Sequence, residues 1–177
     1  MIRYNDEGIL NLKNVLSLEF SKNNICIEYT NKSVDCFSNN TNEKFVDIKK
    51  VSKKILKKIC KGNWLQLRNK TNITFVNLDN VSEFYISNNE NNTKKIEIYA
   101  NETIYYEHTV ICYKNFDISK FIMFRKNNKD VFLNIDRICD INQGISTITI
   151  YFVDHISEFS NVQEIINQLF YKKYLDK

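Results

Sequence analysis

The sequence predicts an α+β protein built from three divergent copies of a small antiparallel β-meander, at least two of them closed by a C-terminal helix. Three observations predict it. A short motif centred on asparagine recurs three times, each copy is followed by a strand in which two isoleucines share one face, and two stretches switch to helical spacing.

The motif stands at residues 9–15 as ILNLKNV, at 75–81 as FVNLDNV and at 132–138 as FLNIDRI. Ahead of the second and third copies, WLQLR at 64–68 matches FIMFR at 121–125, with Ile2, Arg3 and Tyr4 as a shortened counterpart. Behind the motifs, ICIEY at 25–29, IEIYA at 96–100 and ITIYF at 148–152 alternate isoleucine with other residues, the period of a half-buried strand. In the first copy, FVDIKKVSKKILKKIC places Ile48, Val51, Ile55 and Ile59 on one helical stripe. In the third, NVQEIINQLFYKKYL does the same with Val162, Ile165, Ile166, Leu169 and Phe170. The second copy ends in TVICYKNFDISKF, which has room for a strand and a single helical turn. The copies divide the chain at 1–62, 63–120 and 121–177, either as modules or as one continuous globular unit. Asn11, Asn77 and Asn134 are expected to satisfy backbone groups at turns, and Trp64 and Phe121 to anchor the core.

Composition agrees with a folded chain: 177 residues, 43% hydrophobic and 26% charged. With Pro 0 and Gly 3, turns must fall to other residues, and asparagine tolerates the left-handed backbone that glycine normally supplies. Abundant Asn, Lys and Ile suggests an AT-rich bacterial genome, which inflates lysine for reasons unrelated to function. The five cysteines, Cys26, Cys36, Cys60, Cys112 and Cys139, are odd in number and show no metal-ligand spacing. They are expected to be reduced, mostly buried thiols of a cytoplasmic protein. No run is apolar enough to cross a membrane, and MIRYNDEGIL lacks the features of a signal peptide.

Catalytic signatures are absent from the sequence. His108 and His155 lie near no serine or cysteine pattern that would mark a nucleophile and its base, and both are expected at strand ends or in loops. Three glycines cannot hide a phosphate-binding loop. Glu97, Glu102 and Glu107 are interleaved with apolar or aromatic residues as on a solvated sheet face, with no pair set up as acid and base. A non-enzymatic protein with no cofactor and no metal is expected.

One segment departs from the background. From Lys44 to Lys61 there are eight lysines against Asp47 alone, a local charge of +7 in a chain whose formal total is +4, so the rest sums to −3. At helical spacing Lys49, Lys50, Lys53, Lys54, Lys57 and Lys61 oppose the apolar stripe, making a basic ridge that, with Lys58 as a further candidate contact, would attract phosphate backbones or an acidic protein surface. Tyr99 and Tyr151, on the isoleucine strands, are candidate sheet-face contacts. In outline, four-stranded meanders closed by helices resemble the repeats of PUR-type single-strand binders and the related Whirly fold, whose sheet face holds nucleic acid. Glu28, Glu97 and Glu107 on the corresponding faces would repel phosphates, so no site residue is carried over. The expected function is binding of a protein or nucleoprotein partner, as a phage or mobile-element inhibitor or accessory factor would do. The alternative is single-stranded or non-specific nucleic-acid binding through 44–61. Exposed sheet edges would also allow a homodimer.

Overall fold

Every isoleucine pair singled out above lies buried on a strand: Ile25 and Ile27, Ile96 and Ile98, Ile148 and Ile150. The computed structural model describes residues 2–3, 9–38, 48–88, 93–100, 102–112, 116–160 and 162–174. Its elements in chain order are β1 (Ile2–Arg3), β2 (Ile9–Leu10), β3 (Val15–Phe20), β4 (Asn24–Tyr29), β5 (Val34–Ser38), α1 (Ile48–Ile59), β6 (Trp64–Arg68) and β7 (Ile73–Asn77). There follow β8 (Glu83–Asn88), β9 (Lys94–Ala100), β10 (Glu102–Cys112), β11 (Phe121–Lys126), β12 (Lys129–Asn134), β13 (Ile138–Gln143), β14 (Ile148–Phe152), β15 (Ile156–Phe159) and α2 (Val162–Tyr174). The protein is thus α+β, with antiparallel sheets and two helices among the described residues. No described helix is long and apolar enough to cross a membrane.

The chain gathers into two compact units, Met1–Asn80 with Thr109–Phe116, and Val81–His108 with Asp117–Lys177. In the first, the end of β10 pairs with β6, and the antiparallel order continues through β7, β3 and β4 to β5 at the edge. The helix forms because its apolar residues recur every four positions, and Val51, Ile55 and Ile59 bury that stripe in a core with Leu18, Ile25 and Ile27. Trp64 joins the same core, as an anchor should.

Edge strand β5 corrects the expectation about cysteine. Cys26 and Cys36 stand directly opposite each other on β4 and β5, their Cα atoms 4.2 Å apart, and are joined as a disulfide. Cys60 and Cys139 are free but exposed rather than buried. The pairing follows from hairpin register, which the linear spacing of five scattered cysteines does not display.

In the second unit, β11, β12, β8 and β9 form one antiparallel series and β13, β14 and β15 a separate three-stranded sheet. Ile122, Val131, Leu133, Ile150 and Phe159 meet Ile165 of α2 in one core. Phe84 stacks on Phe132 at 4.4 Å and meets Phe121 edge-on at 5.5 Å. A single 3₁₀ turn, Ile118–Lys120, precedes β11, in the place where the sequence leaves room for one turn.

The scarcity of glycine shows in the turns. The β11–β12 hairpin reverses on Asn127 and Asn128 at φ 49° and 61°, the paired positive values that a tight hairpin turn requires. Asn11 directly follows β2, Asn77 and Asn134 end β7 and β12, and each precedes a 3₁₀ turn, at Leu12–Asn14, Leu78–Asn80 and Ile135–Arg137. Their side-chain oxygens accept from the backbone N–H two residues on, at 3.3, 3.3 and 3.1 Å. They act at turns, as their neighbours in the sequence suggest.

Candidate functional site

Burying Val51, Ile55 and Ile59 turns the rest of α1 outward, so Lys50, Lys53, Lys54, Lys57 and Lys58 are exposed, as is Lys61 just beyond it. Lys49 lies on the same helix, and its side chain is outside the described residues. Among the described residues, Lys53, Lys54, Lys57, Lys58 and Lys61 form no ion pair. Leu56 is 37% exposed in the middle of this face, an apolar point that the helical stripe alone does not explain.

Where α1 ends, the first unit carries a groove of about 480 Å³. Lys13, Lys58, Lys61, Trp64, Asp79 and Asn80 are among the residues that line it. The walls are fixed by two asparagine turns. Asn77 Nδ2 donates to the carbonyls of Leu12 and Val15 at 3.1 Å each, and Asn80 Nδ2 to those of Lys13 and Val15 at 2.9 Å each. Asn63 Nδ2 donates to Asp79 Oδ1 at 3.3 Å, while Leu78 N–H donates to the Asn63 carbonyl at 3.0 Å.

Trp64 is only 4% exposed, yet it lines the groove. Its indole lies against Gly62, where any Cβ would stand 2.7 Å from Nε1 and 2.9 Å from Cδ1. Glycine is needed here for close approach. Among the described residues, Nε1–H makes no hydrogen bond. Indole N–H can only donate, so its natural complement is an acceptor entering from the groove.

The other candidate sheet contacts are placed differently. Tyr151 on β14 and Tyr99 on β9 are both half-buried, and Tyr99 packs against Tyr85 at 5.5 Å and His155 at 5.6 Å. The acidic face expected to be solvated is in part closed: the Glu97 carboxylate is 12% exposed and is clasped by Lys129 Nζ at 2.8 and 2.9 Å. Partial burial gives the lysine a short charge-assisted contact that an open face would leave to water.

Beside Tyr99 the second unit holds a charge network that the sequence does not reveal. His155, in the β14–β15 turn, presents Nδ1 to Asp154 Oδ1 at 3.0 Å and Nε2 to Glu83 Oε1 at 3.1 Å. The latter approach is too far out of line for a hydrogen bond, so charge holds that side. Ser157 Oγ donates to Glu83 Oε1 at 2.7 Å, and Glu83 Oε2 is buried without a hydrogen bond. Arg137 Nη2 stands 3.6 Å from Asp154 Oδ2, and Arg137 Nε donates to Ser82 Oγ at 2.9 Å; Ser82 in turn donates to Asp154.

Burial alone would lower the histidine pKa. The hydrogen bond to Asp154, the close approach of Glu83 and the charges of both carboxylates outweigh it and raise the value to about 9. The Tyr85 hydroxyl is pushed up by burial and then by Glu83. With both imidazole nitrogens facing carboxylates, His155 is a held cation near neutral pH and has no nitrogen free to take a proton from a hydroxyl. No described group of three or more His, Cys, Asp or Glu side chains could hold a metal ion.

No family model, curated protein or solved structure matches the chain.

Proposed function

We propose that this is a non-enzymatic binding protein that engages nucleic acid, bare or within a nucleoprotein, through the lysine face of α1. One observation carries the reading: five exposed lysines on or just beyond one helix have no ion-pair partner among the described residues. A field of this kind draws in a polyanion and releases its counterions. Contacts of lysine to phosphate position a partner without reading its sequence, so the binding is expected to be non-specific. The recurrence of strand, asparagine cap and 3₁₀ turn at Asn11, Asn77 and Asn134 supports descent of the chain from one repeated unit.

The test is a fluorescence-anisotropy titration against short single-stranded and duplex DNA and RNA at low and physiological salt. Engagement of about four phosphates gives a slope of log K against log salt of roughly −3 for a single strand. Replacing Lys50, Lys53, Lys54 and Lys57 with Glu abolishes retention in a folded protein. Binding that survives this reversal removes α1 from the account. A second reading, an acidic protein partner, is favoured by exposed Leu56, which gives such a partner an apolar contact. It gains ground if Leu56→Ala weakens capture of an acidic peptide while nucleic acid does not bind.

A further inference from the structure

We propose that the groove at the end of α1 is a phosphate pocket, in which Trp64 Nε1–H and the ammonium groups of Lys13, Lys58 and Lys61 receive one phosphate group of the polyanion that the helix engages. The proposal rests on the polyanion reading above and says where that partner is gripped most closely.

The donor set selects the ligand. Lysine and indole have hydrogens to give and no lone pair to offer, so the pocket favours a group that only accepts. A phosphate group meets this need with several oxygens at once and gives an acceptor to an indole N–H that donates to no protein group among the described residues. Three lysines against Asp79 leave the lining net positive, and that carboxylate is partly occupied by Asn63. The C-terminal end of a helix repels anions through its free carbonyls. Here the carbonyls of Leu56, Lys58 and Ile59 accept from the N–H groups of Cys60, Lys61 and Gly62, which blunts the repulsion.

The site is also built in advance. Asn77 and Asn80 tie the turn that carries Lys13 to the turn that carries Asp79, so little of the wall must be ordered on binding. Gly62 leaves the indole N–H its clearance, since a side chain at that position would meet Nε1.

Trp64 is the chain's one tryptophan, so the indole N–H gives a single resonance in a proton–nitrogen correlation spectrum. The protein is titrated with inorganic phosphate and with single-stranded oligonucleotides with and without a 5′-phosphate, at fixed ionic strength in chloride. A saturable downfield movement of the indole proton is expected with the oligonucleotides. Lys58→Gln with Lys61→Gln weakens that response roughly tenfold, while an unmoved resonance in the free variant shows the fold intact. Movement with every oligonucleotide assigns the pocket to the nucleic-acid backbone. Movement only with the 5′-phosphorylated strand assigns it to a terminal phosphate, and movement with inorganic phosphate alone to the free ion. An oligonucleotide that binds by anisotropy and leaves the indole unmoved overturns the pocket and spares the helix. Absence of any binding overturns both.

Discussion

The two units place their charge in opposite ways. In the first, Lys53, Lys54, Lys57 and Lys58 of α1 are exposed and form no ion pair among the described residues; in the second, Glu83, Asp154, His155 and Arg137 turn inward and neutralise one another. Each unit lays a helix against isoleucine-bearing strands, so the backbone plan does not force the difference. Charge kept outside is available to a partner, whereas charge kept inside must be satisfied by the fold itself. A lysine-rich face and a histidine cluster would look equally functional in a list of residues. Their surroundings separate them.

The strongest way to break the comparison is to remove a charge from the inner set. Glu83→Ala leaves His155 facing Asp154 alone inside the fold and should cost about 3–5 kcal/mol, read by urea unfolding. A loss below about 1 kcal/mol would mean that water already serves the cluster. Next in size is Cys36→Ser, which opens the β4–β5 staple of the first unit and is expected to cost about 2–3 kcal/mol in the same assay. Asn134→Ala should cost about 2 kcal/mol, because its Nδ2 donates to the Val81 carbonyl at 2.9 Å in a buried site and its Oδ1 caps a 3₁₀ turn.

A pH series sharpens the contrast further. The folded His155 binds its proton with a pKa raised from 6.5 to about 9. Stability from this group is therefore fully present below about pH 6.5 and declines as pH rises through about 9, where the folded state at last gives up the proton. His155→Gln should flatten that decline. Least of all should follow from the outer set, since each Lys→Glu change on α1 is expected to alter stability by less than about 0.5 kcal/mol while removing polyanion binding. A large stability loss there would show that the ridge serves the fold.

What the sequence made legible was whatever has a period. Isoleucines two apart became the inner faces of β4, β9 and β14, and Val51, Ile55 and Ile59 became the buried side of α1. The cap role of Asn11, Asn77 and Asn134 was readable because a turn is local. The network was not, since Glu83 and Ser157 lie on strands 74 residues apart and meet only through packing. The groove escaped for the same reason: Lys13 and Asn80 come from two separate turns and Trp64 from the start of β6, and no linear spacing connects them. The disulfide had a usable signal that spacing rules overlook, for a hairpin reversing near Asn31 sets Cys26 opposite Cys36.

The turns built on asparagine bear on how the protein ages. Asparagine deamidates when the next backbone nitrogen attacks its side-chain amide, a ring closure that is least obstructed when glycine follows. A hairpin written Asn-Gly, the usual choice for this turn, carries that liability at its tip. Here Asn127 is followed by Asn128, that residue by Lys129, and no asparagine in the chain precedes a glycine. A fold that reverses direction without glycine thereby avoids the commonest route by which a β-turn acquires a new negative charge in storage.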